Sequence, residues 1–187
     1  TSPGARGNVI SNNVIYSNGV WGIRIDTDAA SNRVVGNAIY SNGAGGAILT
    51  NAAGSGNRFV RNRIFANAGE GVGVYGATNT RFLNNVLYRN TARGVRVGSS
   101  AAINTTFANN ILVSNGSVGV TNAGSTSTAW SYNDVFGHAR DFANSTPLAP
   151  SNNNISADPI FSNAAAGNFR IRTNTAPVLD SGITNGL

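Results

Sequence analysis

The sequence predicts an all-β solenoid: a single-stranded parallel β-helix of about five to seven coils of 23–25 residues. Three observations carry this. A six-residue segment beginning and ending in Asn recurs at 23–25-residue steps. A Gly follows nine residues after the first Asn of each copy. Each coil reads as three short segments with an apolar residue two places after a corner or Gly, the period-two placement of a strand.

The segment first reads Asn13-Val-Ile-Tyr-Ser-Asn18. It returns from Asn37 to Asn42, Asn62 to Asn67, Asn85 to Asn90 and Asn110 to Asn115, at steps of 24, 25, 23 and 25. The following glycines are Gly22, Gly46, Gly71, Gly94 and Gly119. Five residues before each first Asn sits Asn8, Asn32, Asn57, Thr80 or Thr105, and two residues further on comes Ile10, Val34, Phe59, Phe82 or Phe107. Each coil therefore reads as three short strands separated by corners. Gly, Asn and Thr punctuate them as turn formers. β-branched and turn residues argue against helix. A leucine-rich repeat has a similar period but needs a dense Leu skeleton, and Leu is scarce here.

The Asn columns have a physical reason. A corner breaks the strand, often with a left-handed residue, which Asn tolerates. The Asn amide also offers both donor and acceptor, so stacked amides can bond along the solenoid axis. Asp in the same column would repel its neighbours. The asparagines are thus corner hardware, and they absorb most of the polar residues that could be mistaken for a catalytic centre.

Composition bounds the rest. The 187 residues suffice for one domain, read as a single β-helix over 1–187, with regular coils at 8–122 and a degenerate coil, loop and cap at 123–187. The chain is expected to be part of a longer protein. Charged residues are only 11%, the net charge is +6, and all 13 basic residues are Arg. A basic surface suggests a polyanion, and Arg suits bidentate contact with carboxylate. Without Cys there is no disulfide or thiolate metal site. No apolar run reaches the ~20 residues of a membrane helix, and Thr1-Ser-Pro-Gly-Ala-Arg-Gly7 does not read as a signal peptide.

After Asn122 the pattern loosens. Asn133-Asp-Val-Phe136 is a sixth, degenerate copy, and residues 139–153 read as a long loop. The repeats resemble those of the pectate-lyase-like superfamily of right-handed parallel β-helices. Tyr132-Asn-Asp-Val135, Ala157-Asp-Pro-Ile-Phe161 and Pro177-Val-Leu-Asp180 resemble, in order, the closing segments of secreted bacterial β-helix proteins. The resemblance implies right-handed coils, an extracellular or cell-surface bacterial location, and closing roles for Asp158 and Asp180 as turn or capping carboxylates. It is specific for fold and weak for function, because this fold hosts many activities. The Asp-Pro-His-Asp motif of mannuronan epimerases is absent.

Few residues remain for chemistry. Arg24, at the outward position of one Gly-Ile-Arg-Ile strand, and Asp26 and Asp28 just after it could form a small acidic–basic site or hold a Ca²⁺ ion, although a solvated turn with a local ion pair is favoured. His138, the single His, could serve as a catalytic acid or base with Asp141 nearby, although a polar loop at the end of the stack is favoured; a multi-His metal site is excluded, and no metal site or other cofactor is expected. Two stripes are more informative. Arg33, Arg58 and Arg81 follow the corner residue in successive coils, and Arg96 occupies the same strand position as Arg24. Tyr16, Tyr40, Phe65 and Tyr88 form an aromatic row, either a sugar platform or a stacked ladder, with the ladder favoured. The ligand-contacting set is therefore Arg33, Arg58, Arg81, Arg96, Tyr16, Tyr40 and Tyr88.

The leading expectation is a non-catalytic extracellular module, structural or binding acidic polysaccharide. The alternatives are a polysaccharide lyase, hydrolase or epimerase, and a self-associating solenoid joined through its N-terminal end. Upstream coils, a cap or a partner are expected to cover residues 8–18. Nucleic acid ranks below these, because no recognised binding motif is present.

Overall fold

The computed structural model describes residues 4–50, 54–98, 102–123, 125, 127–144, 151–172, 174–179, 181 and 182. Three parallel sheets of six strands each wrap one core. The first sheet stacks Val9–Ser11, Arg33–Val35, Arg58–Val60, Arg81–Leu83, Thr106–Ala108 and Ala129–Ser131. The second stacks Val14–Tyr16, Ala38–Tyr40, Arg63–Phe65, Val86–Tyr88, Ile111–Val113 and Asp134–Phe136. The third stacks Trp21–Ile25, Gly45–Leu49, Glu70–Val74, Arg93–Val97, Val118–Asn122 and Arg140–Ala143. The last of these strands falls inside the stretch expected to be loop. Residues 145–150 lie outside the described residues.

In the first two sheets the middle residue of each strand points inward, so like residues meet one coil apart. Phe59, Phe82, Phe107 and Trp130 stack face to face inside, with ring centroids 4.9, 4.7 and 4.0 Å apart. The glycine column has a steric cause. A Cβ on Gly94 would lie 2.7 Å from the Gly119 carbonyl oxygen and 3.1 Å from Asn115 Nδ2. No side chain fits between the third sheet and the ladder beside it.

Three ladders of amides, buried beyond the exposed first rungs, tie the coils together. Asn8, Asn32 and Asn57 form the first, continued by buried Thr80 and Thr105. Asn13, Asn37, Asn62, Asn85, Asn110, Asn133 and Asn154 form the second. Asn18, Asn42, Asn67, Asn90 and Asn115 form the third. Each inner amide is fully used. Asn85 Oδ1 accepts from the backbone N–H and side chain of Asn62, while its Nδ2 donates to Asn110 Oδ1 and to the Phe59 carbonyl.

The left-handed corner residue is not the ladder Asn but the residue before it. Asn12, Arg61, Asn84, Asn109 and Tyr132 precede second-ladder rungs at φ of 56, 56, 57, 56 and 57°. Ser17, Ser41, Ala66, Arg89 and Ser114 do so for the third ladder. The ladder Asn is thereby free to point inward. Its role is hydrogen bonding rather than conformational tolerance.

Candidate ligand-binding surfaces

Arg33, Arg58 and Arg81 pair in register on the outer face of the first sheet and are exposed. None forms a salt bridge among the described residues. Arg61, at the next corner, and Arg63, on the second sheet, continue the charge around the coil from Arg58, and both are exposed.

The aromatic row lies on the outer face of the second sheet. The Tyr16 and Tyr40 rings are 5.3 Å apart and 8° from parallel, and those of Tyr40 and Phe65 are 4.9 Å apart at 17°. The rings stack on one another along the axis, so their faces are largely occupied and their edges point outward. The C-terminal tail covers part of the row. Phe169 meets Phe65 and Tyr88 edge-on at 5.3 and 5.5 Å, and Phe161 packs at right angles on Tyr88. Tyr88 is consequently buried, Tyr40 half-buried and Tyr16 exposed. The tail contributes Phe161–Asn163, a short turn at Ala164–Ala166 and Asn168–Ile171, the two strands pairing antiparallel. A cleft of about 590 Å³ remains between this turn and the second sheet, lined by Tyr40, Ser41, Arg63, Phe65 and Arg89 among others.

On the third sheet, Arg24 pairs with Asp26 through Nε at 2.9 Å and Nη2 at 2.6 Å, in the exposed turn, while Asp28 is a left-handed turn residue. Three coils on, Arg96 belongs to a cluster that the sequence reading missed. Glu70 Oε1 lies 3.3 Å from Arg93 and 3.6 Å from Arg96, and Glu70 Oε2 accepts from the Tyr75 hydroxyl at 2.7 Å. The Arg96 guanidinium also sits over the Tyr75 ring. Burial, with help from the Glu70 carboxylate, pushes the Tyr75 phenol up to about 12. The 23-residue offset from Glu70 to Arg93 was the available signal, because it places them opposite each other in adjacent coils.

His138 takes the place of a sixth rung in the third ladder. Its Nε2 lies 3.3 Å from Asn115 Nδ2, and its Nδ1 lies 3.0 Å from Asp141 Oδ1. Asn115 can only donate there, so Nε2 must accept and Nδ1 must carry the proton. The imidazole is fully enclosed, and burial lowers its pKa against the opposing pull of Asp141. An enclosed ladder rung is poorly placed to meet substrate. Asp141 in turn accepts from Ser156.

The first two closing segments meet physically. Asn133 donates to Asn154, and Asp134 Oδ1 accepts from the Ala157 N–H at 3.0 Å. Asp134 Oδ2 is buried without a partner, and burial raises this carboxyl to about 7. Asp158 accepts from the Ile160 N–H as a turn carboxylate, and Asp180 lies outside the described residues. Among the described residues no three acidic, His or Cys side chains cluster to hold a metal ion, and no helix is long and apolar enough to cross a membrane.

Three parallel sheets, inward stacking and amide ladders define a parallel β-solenoid. Residues 3–136 match the family model described as the right handed beta helix region, so the chain belongs to that family and its coils are right-handed. Two similar solved structures are the periplasmic alginate epimerase AlgG and the A-module of the Azotobacter vinelandii mannuronan C-5 epimerase AlgE4. The first is 19% identical with a TM-score of 0.70, over 81% of this chain and 38% of that one. The second is 21% identical with a TM-score of 0.65, over 77% of this chain and 45% of that one. The chain thus spans less than half the length of either, and at this identity the likeness is one of fold. No curated protein sequence matches it.

Proposed function

We propose that the protein is an extracellular, non-catalytic β-helix module that holds an acidic polysaccharide along its surface. The observation that carries this reading is the in-register column of Arg33, Arg58 and Arg81, exposed and without a carboxylate partner among the described residues. Their strands lie about 4.8 Å apart, and guanidiniums held at that spacing would repel by about 1 kcal/mol per neighbouring pair even in bulk water. The fold gains nothing from that repulsion, whereas an anionic polymer lying along the axis relieves it. The location rests on the resemblance of the closing segments and on the fold's occurrence in a periplasmic enzyme.

The test is titration with polyuronate and with a neutral polymer of similar length, at several salt concentrations. Binding of the acidic polymer alone, weakening as salt rises, is expected. Equal binding of both polymers would refute the reading.

A catalytic reading has one observation behind it. Tyr75, Glu70, Arg93 and Arg96 join a proton donor, a carboxylate and two cations on one outer face. Product released from a uronic polymer by the native protein but not by a Tyr75→Phe variant would establish it over the non-catalytic one.

A further inference from the structure

We infer that the cleft between the C-terminal tail and the second sheet is a separate binding site for a carboxylated sugar residue, most simply the end of an acidic chain. This rests on the acidic-polysaccharide reading above and assigns it a second, independent site on another face.

The cleft is a real concavity of about 590 Å³. That lies within the range of ligand sites, roughly 300–1,000 Å³. Its floor is the outward row Tyr40 and Phe65, and its far wall is the Ala164–Ala166 turn. The small alanine side chains leave this wall low. The turn is itself held in place, since Asn163 caps it by accepting from the Ala166 N–H and Phe169 packs on Phe65. The wall is therefore built by the fold.

The charged groups in the cleft are of one sign. Arg63 reaches the Gly167 carbonyl through Nη1 at 3.4 Å, a long contact that leaves most of its donors unused. Arg89 lies 5.2 Å from the centre of the Tyr88 ring, which orients its guanidinium without neutralising it. Neither forms a salt bridge among the described residues. Two unneutralised guanidiniums beside aromatic edges suit a ligand with apolar C–H faces and a carboxylate. A neutral sugar would leave both charges unmet, and a purely apolar ligand would strip water from them.

Continuity favours a sugar of the polymer over an unrelated anion. Arg58, Arg61 and Arg63 lie on one coil, running from the first sheet, through the corner, into the cleft. The arginine column and the cleft are thus neighbours along one coil, each with its own arginines. The column has no end wall and suits the run of a polymer, whereas the cleft is bounded by the tail and suits a terminus or a short oligomer.

The experiment is calorimetric titration of the intact chain with a uronate tetrasaccharide, its neutral counterpart and long polyuronate. Four proteins are compared: native, Arg63→Ala/Arg89→Ala, Ala165→Trp, which fills the cleft without changing charge, and Arg33→Ala/Arg58→Ala/Arg81→Ala. Circular dichroism confirms that each is folded. The acidic tetrasaccharide is expected to bind the native protein and to weaken far less in the column variant than in either cleft variant. It should weaken about tenfold or more in both cleft variants. Long polymer should weaken chiefly in the column variant. Unchanged tetrasaccharide affinity in both cleft variants overturns the site, as does equal binding of the neutral oligomer. Polymer binding without tetrasaccharide binding overturns the cleft and leaves the column reading standing. Tetrasaccharide binding lost in the cleft variants, with polymer unaffected in the column variant, supports the cleft and overturns the column.

Discussion

Replacing Asn85 by Asp keeps the shape of one ladder rung and removes only its donors. The carboxylate still accepts from Asn62, but it faces Asn110 Oδ1 at 2.9 Å and the Phe59 carbonyl at 3.0 Å with nothing to give. Two lost hydrogen bonds account for about 1–3 kcal/mol. An enclosed charge set against two acceptors raises the total to about 3–5 kcal/mol at pH 8. Protonation restores one donor, leaving a cost of about 1 kcal/mol at pH 4. The new carboxyl has a folded pKa above its unfolded value of about 3.9, so its relative stability is greatest below that value and is lost as pH rises. Urea denaturation followed by circular dichroism at pH 4 and pH 8 measures both costs relative to the native protein, with Asn12→Asp as the exposed control. A variant matching the native protein at pH 8, or losing as much at pH 4 as at pH 8, would contradict the donor role of the ladder amides.

Four further outcomes follow from the same contacts. Asp134, raised to about 7, stabilises the fold most below its ordinary value of 3.8 and costs stability as pH rises through neutrality. Asp134→Asn should therefore be more stable at pH 8 by about 1–3 kcal/mol, with a higher melting point, and flatten the dependence between pH 4 and 7, and a lower melting point at pH 8 would count against it. His138 has a lowered pKa, so its contribution is present above the ordinary value of 6.5 and declines as pH falls below it. His138→Asn, an ordinary ladder rung, should lose less stability than the native protein between pH 7 and 5 in parallel thermal melts. Gly94→Ala, whose new Cβ would meet the Gly119 carbonyl, should cost about 2 kcal/mol or more in denaturant, and a native-like midpoint would show that the third sheet can shift. Phe169→Ala should expose the Phe65 and Tyr88 edges and speed proteolysis of the tail without unwinding the coils, which limited digestion and mass spectrometry would reveal.

The coil period, the three strands per coil and the amide columns were legible because the same side chain must recur wherever the same rung is built. The corner residue before each rung was not. Its backbone needs a left-handed conformation, yet Arg61, Ala66 and Tyr132 adopt it as Asn and Ser do, so no residue type marks it. His138 was hidden for a related reason. The last coil is one residue shorter, with Asp141 where the earlier coils place their Gly, and an imidazole serves the ladder in place of an amide. The Arg33, Arg58 and Arg81 register was readable from spacing. The cluster at Glu70 was overlooked because like residues were matched between coils, whereas an ion pair joins unlike ones. The return of the tail onto Tyr88 had no periodic signal, since its strands pair antiparallel with each other and lie outside the repeat.

The central claim is that three stacked arginines hold an anionic polymer, and the salt dependence of polyuronate binding tests it most directly. The slope of log affinity against log salt should be distinctly negative for the native protein and shallower for Arg33→Ala/Arg58→Ala/Arg81→Ala, with fold unchanged by circular dichroism. The same slope and affinity in both proteins would contradict the claim.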